Sequence, residues 1–462
     1  MSTKPPAEIA AEIAAESAAG SAESRSGELP AIARHAIVVL AGQLAAVMFG
    51  LADTVIAGRY SEDALAALSV SVAVYVCVQV GLMGLLQALL PVWAELRGAG
   101  RLRQVGASAR QSLYLWMAAS ALGMAVLLMP GALLDAAQVP ADLQHEARRY
   151  LAVQAWALPP ALFFRLYSTL NQSLGQPRMV TALQIGAVPP KAALSAWLTF
   201  GGLGVPAQGA AGCAWATLVV YVALMLLALW LLRAQPLYAP YAIWQKPERP
   251  DARQLAAFLR LGVPAALAVM VEVTCFAFMA LFAARLGARA AASHQIAASV
   301  ATVIFMIPLA LGIATSARIS HWLGAAQPAR ARRTAAVELA TATALAAITA
   351  LALALAARPI ARLYVSDEAI ATAAAALLPA VAAYHLGDAV QAASIFALRS
   401  WRVTALPFAI YAVLLWGLGM PAGHALAFSG LGPWPVWQSL LAFWCTIALA
   451  QALTGLTLAA TL

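Results

Sequence analysis

Charge is scarce in this chain. Of 462 residues only 10% are Asp, Glu, Lys or Arg, whereas 63% are hydrophobic and the mean hydropathy is +0.82. Soluble domains carry about 25% charged residues, so a soluble globular protein is excluded. Cysteine is nearly absent too. Cys77, Cys213, Cys275 and Cys445 fall in apolar runs with no C-x-x-C pair or metal-ligand spacing, which argues against disulfide and zinc readings. Motifs for phosphate binding, nucleophilic catalysis or metal ligation are missing, so an enzyme and a bound cofactor are not expected. The first thirty residues lack the apolar stretch of a signal peptide. Their Ala, Glu and Ser content predicts a disordered tail over 1–32. The net charge of +9 is scattered through short loops, so a nucleic-acid partner is not expected either.

What is present is apolar length. Runs of 18 residues or more recur along the chain, each able to cross about 30 Å of hydrocarbon. Turn and charge signals divide them into twelve helices: 33–58, 64–95, 107–134, 147–173, 178–200, 207–233, 254–286, 290–318, 334–364, 369–398, 403–427 and 436–460. The expected fold is an all-α integral membrane protein in contact with lipid. Loops on the tail's side hold 19 Lys and Arg and the opposite loops hold seven, with Arg165 and Lys191 inside spans. The positive-inside rule then puts both termini in the cytoplasm, across an inner membrane.

A Pro-rich, charged connection, 234–253, divides an N-lobe (33–233) from a C-lobe (254–462). The halves repeat. A shift of 226 residues lays AELRGAG (94–100) on SHWLGAA (320–326), matching Gly98 with Gly324. It also brings ALAALSVSVAVYV (64–76) to the region of ARAAASHQIAASV, which ends at Val300. Two pseudo-symmetric six-helix lobes follow, an organisation characteristic of secondary transporters.

Three acids lie inside spans. Glu272 is 12 residues from Arg260 and 13 from Arg285, about 18–20 Å from either end at 1.5 Å per residue. Asp388 is 11 residues from Arg399, also deep, and Asp53 is roughly 8 Å from the outer end. Intramembrane acids are costly and mark ion or substrate paths, unless held as hydrogen-bonded structural carboxyls. Tyr384 stands four residues before Asp388 on the same helical face, where its phenol can bond the carboxyl or face a cation. Gln295 and Gln391 add polar atoms, either for a substrate cavity or for interhelical bonds. His385 reads as structural. Lys191, after VPP, pairs with an acid or snorkels, and the sequence leaves both open. Pro189, Pro190, Pro308 and Pro421 break backbone bonds within spans, as hinges or cavity-lining positions do.

FGLADTVIAGRYSEDALAALSV (49–70), VEVTCFAFMALFAARLGARAAASHQIAASV (271–300) and YHLGDAVQ (384–391) resemble the motifs of the multidrug and toxic compound extrusion (MATE) transporters, NorM-type branch. ALRSWRVTALPF (397–408) and WGLGMPAG (416–423) follow in the order such a transporter has. The chain departs from the family at VPPK in the fifth helix, where many relatives carry an asparagine. The resemblance implies a monomeric secondary antiporter exporting organic cations and drugs in exchange for Na⁺ or H⁺. It places Glu272, Tyr384, Asp388 and Asp53 at cation-coupling positions. Na⁺ at Glu272, Tyr384 and Asp388 is preferred, because hard cations take oxygen ligands. A proton site needs only one carboxyl. The alternative is a lipid or polyprenol-oligosaccharide flippase of the same superfamily, which calls for a basic cavity.

Overall fold

The computed structural model describes residues 28–131, 134, 141–202, 204–246 and 248–462. Twelve helical spans run through them. They are α1 (Glu28–Tyr60), α2 (Glu62–Gln87, continued by Leu90–Gly98), α3 (Leu102–Leu128), α4 (Ala141–Ser173), α5 (Pro177–Phe200) and α6 (Ala210–Ala234). The second six are α7 (Ala252–Arg285), α8 (Ala288–Gly324), α9 (Pro328–Leu355, then Ala357–Tyr364), α10 (Glu368–Ser400), α11 (Ala405–Phe428) and α12 (Leu441–Ala460). Ten are long and apolar enough by themselves to cross a membrane, while α4 and α5 fall short. Most of α4 is buried against protein, so it needs less lipid-compatible surface.

Helix ends differ from the sequence reading where proline intervenes. The third helix stops at Leu128 rather than 134, two residues before Pro130, because a residue preceding proline disfavours the α conformation. The ninth, expected unbroken over 334–364, breaks at Ala356. Pro359 has no N–H to give Leu355. In α11 a π-helical turn over Val413–Gly419 precedes Pro421. Its wider i→i+5 spacing accommodates the donor that proline lacks. The helix α1 begins at Glu28, inside the stretch read as tail.

The chain forms two compact units. One runs to Ala266 and includes Ser320–Gln327; the other holds Leu267–Ile319 and Pro328–Leu462. In the first, α4 packs on α2, α3 and α6, and α1 packs on α5. In the second, α10 packs on α9 and α12, the same pairing one repeat later. The repeat-matched glycines meet reciprocally within the first unit. A Cβ on Gly98 would strike the His321 carbonyl, and one on Gly324 would strike the Glu95 carbonyl. Glu95 and His321 are themselves related by the 226-residue shift.

The Pro-rich connection is stapled to α3. Arg110 pairs with Glu248 and donates to the Ala242 carbonyl at 2.6 Å. Gln111 bonds Arg249 O (2.9 Å) and Asp251 N (3.0 Å), and the Tyr114 hydroxyl donates to Glu248 O at 2.7 Å. Arg110 holds the Glu248 carboxyl below the usual carboxylate range.

Candidate functional site

In the second unit the acids are held by neutral partners. Glu272 lies on α7 and Tyr384 on α10, and the phenol donates to Glu272 Oε1 at 2.9 Å. The bond from Tyr384 to Asp388 on its own helix, one of the two roles the spacing allowed the phenol, does not form. Instead Asp388 Oδ1 accepts from Gln451 Nε2 of α12 at 2.9 Å. Glycine permits this. A Cβ at Gly387 would sit 2.6 Å from the Ala452 nitrogen, so α10 and α12 approach at backbone distance and bring Gln451 beside Asp388. Asp388 is 1% exposed and lies within electrostatic reach of Glu272. The rings of Phe276 and Trp444 stand edge-on to Tyr384 at 5.8 and 5.9 Å, fixing the phenol.

Two further oxygens lie here. The hydroxyl of Tyr411 (α11) and Gln451 Oε1 are buried, and the hydroxyl stands close to Glu272 and Gln451 without a well-formed hydrogen bond among the described residues. Tyr411 lies within electrostatic reach of both carboxyls. Buried orphan polar atoms are uncommon in native structures and point to an unseen water or ion. Among the described residues no Lys or Arg pairs with Glu272 or Asp388. Two carboxyls, two phenols and a carboxamide thus form an all-oxygen donor set, which suits a hard monovalent cation.

The first unit treats its acid differently. Asp53 of α1 forms an ion pair with Lys191 of α5. Ser195, one turn on from Lys191, accepts from its ammonium at 2.7 Å and donates to Asp53 Oδ1 at 2.8 Å. The Cys213 carbonyl of α6 takes a third ammonium bond at 3.4 Å. Lys191 is 1% exposed and Asp53 6%. The sequence left Lys191 between pairing and snorkelling; it pairs, and every proton of the ammonium has an acceptor.

Not all residues read from the sequence converge. Gln391 is buried one turn beyond Asp388, whereas Gln295 on α8 is exposed. His385 is buried with neither ring nitrogen bonded among the described residues. Glu338 of α9 is a further buried acid, 1% exposed, lying close to Thr315 with no well-formed hydrogen bond to either carboxyl oxygen among the described residues. Sequence reasoning passed over it because it lies near the start of its span, where acids mark helix ends. Gln451 and Tyr411 carried no sequence signal, since their importance comes from α11 and α12 crossing α7 and α10.

These two helical repeats, each with at least one buried acid on its spans, define a multi-pass membrane transporter fold. The MatE family profile matches residues 39–197 and 264–424, and the chain belongs to that family. The matched stretches begin 225 and end 227 residues apart (39 to 264, 197 to 424), as a 226-residue repeat requires. The chain is 36% identical over 399 residues to a protein named probable multidrug resistance protein NorM from Aromatoleum aromaticum, covering 86% of each. It is 32% identical to multidrug resistance protein MdtK of Pectobacterium atrosepticum, covering 92% of each. Its fold is similar to the crystal structure of the eukaryotic MATE transporter AtDTX14, with TM-score 0.85 at 17% identity over 94% of this chain and 95% of that one. A likeness also extends to Vibrio cholerae VcmN in its bent form, with TM-score 0.80 at 16% identity over 94% and 96%.

Proposed function

We propose that this protein is a secondary active multidrug efflux antiporter of the inner membrane, with both termini cytoplasmic, exporting lipophilic organic cations in exchange for Na⁺. Relatives named multidrug resistance proteins support the efflux reading. The observation that carries the coupling is the pair of half-buried Glu272 and buried Asp388, served by Tyr384, Tyr411 and Gln451 without a cationic partner. Deprotonated, those carboxyls hold negative charge that only a mobile cation can offset. A proton on one carboxyl leaves the other phenol and the carboxamide oxygen without a role, whereas Na⁺ uses several oxygens at once.

A lipophilic cation is drawn by the same charge, so ion and drug compete for it. Transport follows when each has a different affinity for the two states of the carrier. Asp53 serves as a lock in this scheme rather than as an ion ligand, because Lys191 already occupies it. The test is efflux of a cationic dye from proteoliposomes holding the protein as a monomer, with Na⁺ and pH gradients imposed separately. Efflux driven by Na⁺ alone is expected; efflux that ignores Na⁺ and follows pH assigns the coupling to H⁺.

A further inference from the structure

Beneath the connection that follows α6 lies a cavity of about 250 Å³. Its buried wall is made by Trp93, Leu166, Leu170 and Leu232. Its mouth is made by the half-buried Leu113, Leu229 and Ile243 with the exposed Trp244, so it opens between α3, α6 and the connection. The lining runs from Leu170, about 5 Å inside the end of α4, to Leu113, about 17 Å inside the start of α3. Headgroup layers add about 5–8 Å to each side of a 30 Å hydrocarbon core, so this is the depth of a lipid's glycerol and upper acyl chain. The roof is fixed. A Cβ on Gly106 would strike the Tyr241 carbonyl, so the connection lies directly on α3.

The polar side chains of the interior are already committed. Arg110 is spent on Glu248 and the Ala242 carbonyl. Ser112 donates to the Ala109 carbonyl at 2.7 Å, Tyr167 to the Met179 sulfur at 3.0 Å, and the Trp93 indole to Ser108 at 3.0 Å. Gln245 is exposed at the mouth. What remains inside is apolar surface, which suits hydrocarbon and not a charged ligand. Free charge sits only at the rim. Arg233, at the end of α6, lies over the Trp244 ring at 5.8 Å, and Lys246 stands two residues beyond that ring. Both cations are exposed, and neither pairs with a carboxylate among the described residues. Trp230, on α6 beside Leu229, is exposed as well, as indoles at headgroup level are. Basic pockets beside spans at this level recognise anionic head groups.

We propose that this cavity is a binding site for an anionic phospholipid, with part of one acyl chain in the apolar interior and the phosphate at Arg233 and Lys246 on the rim. A cavity of about 150 Å³ takes a benzene ring, so this larger one takes a segment of chain. The lipid is a resident that props the connection against α3, not cargo. The site does not rest on the efflux reading: Asp388→Asn, expected to lose transport, should hold the lipid as wild type does.

Photoreactive lipids test it. The full chain is placed in phosphatidylcholine nanodiscs with a trace of phosphatidylglycerol or phosphatidylcholine carrying a diazirine on one acyl chain. After irradiation, adducts are mapped by mass spectrometry. Phosphatidylglycerol should label Leu113, Leu166 and Leu229 roughly tenfold more than phosphatidylcholine does. Arg233→Gln, an exposed change that spares the fold, should cut that preference about fivefold, the worth of one basic residue near a lipid surface. Ala109→Phe, which fills the cavity, should abolish the labelling of Leu166 by either lipid. Equal labelling by the two lipids, a preference unmoved in Arg233→Gln, or adducts confined to outward positions such as Leu226 and Trp230 would overturn the site. Displacement by glycerol 3-phosphate would assign the rim to a free phosphate, and displacement by a cationic dye would make the cavity a cargo pocket; either result refutes a resident lipid.

Discussion

The two halves of this molecule share a repeat but handle buried acid in opposite ways. In the first, Asp53 meets a lysine and a serine, the lysine also donating to a backbone carbonyl, and its charge is cancelled inside the protein. In the second, Glu272 and Asp388 meet a phenol and an amide, which orient a carboxylate without neutralising it. A closed ion pair needs nothing from outside. An uncompensated pair of carboxyls must take up a cation or a proton whenever it is charged. The same fold unit, duplicated, thus yields one closed ion pair and one pair of acids without a cationic partner, which on the proposed function is the ion receptor, and the difference lies in a handful of side chains.

Removing the receptor's charge should have the largest effect. Asp388→Asn and Glu272→Gln are each expected to bring Na⁺-driven dye efflux down to the level of empty liposomes, while expression and melting stay near wild type. Both changes remove a group that is expensive to bury. Full efflux from either variant would erase the distinction between the halves.

The lock is broken by Lys191→Met, which leaves Asp53 buried without a counter-charge. Stripping one partner from a buried pair costs about 3–5 kcal/mol. A marked drop in the melting temperature in detergent is expected, and the double change with Asp53→Asn should recover most of it. If the single and double variants melt alike, the pair is not a unit. An equivalent experiment in the second half, Asp388→Asn, should not destabilise, and that asymmetry sharpens the comparison.

Tyr384→Phe is a smaller perturbation, deleting one oxygen and sparing each carboxyl. The Na⁺ concentration for half-maximal efflux should rise roughly fivefold, the equivalent of about 1 kcal/mol for one hydrogen-bonding group. The pH profile should not move. The smallest effect is expected at Glu248, outside the membrane. Its carboxyl is held below the ordinary range by Arg110, so its contribution is complete above about pH 4.3 and is lost as pH falls through the lower folded value. Glu248→Gln should therefore lower the melting temperature slightly near neutrality, where the carboxylate is charged, and melt like wild type once pH falls through the lower folded value.

Much of the fold was legible because lipid imposes a single rule on every span, and apolar length reports it directly. Gly98 and Gly324 were matched by sequence shift alone, and their reciprocal contact shows why both are glycine: each faces a backbone carbonyl of the other helix with no room for a Cβ. Where proline altered a helix, as at Pro130, Pro359 and Pro421, the position was visible but not the choice between ending, breaking and widening the turn. The site was legible only in part. Depth singled out Glu272 and Asp388, yet spacing put the Tyr384 phenol only within reach of the carboxyl on its own helix, while packing gave it to the one on α7. Partners supplied by another helix, such as Gln451 for Asp388 and Lys191 for Asp53, leave no trace in local pattern.

The central claim is that the coupling cation belongs to the second half and that Asp53 is already satisfied by Lys191. Equilibrium binding of radiolabelled Na⁺ to purified wild type, Asp53→Asn and Asp388→Asn tests it most directly. Binding that persists in Asp53→Asn and vanishes in Asp388→Asn is the predicted result. Loss of Na⁺ binding in Asp53→Asn, or its survival in Asp388→Asn, would contradict the account.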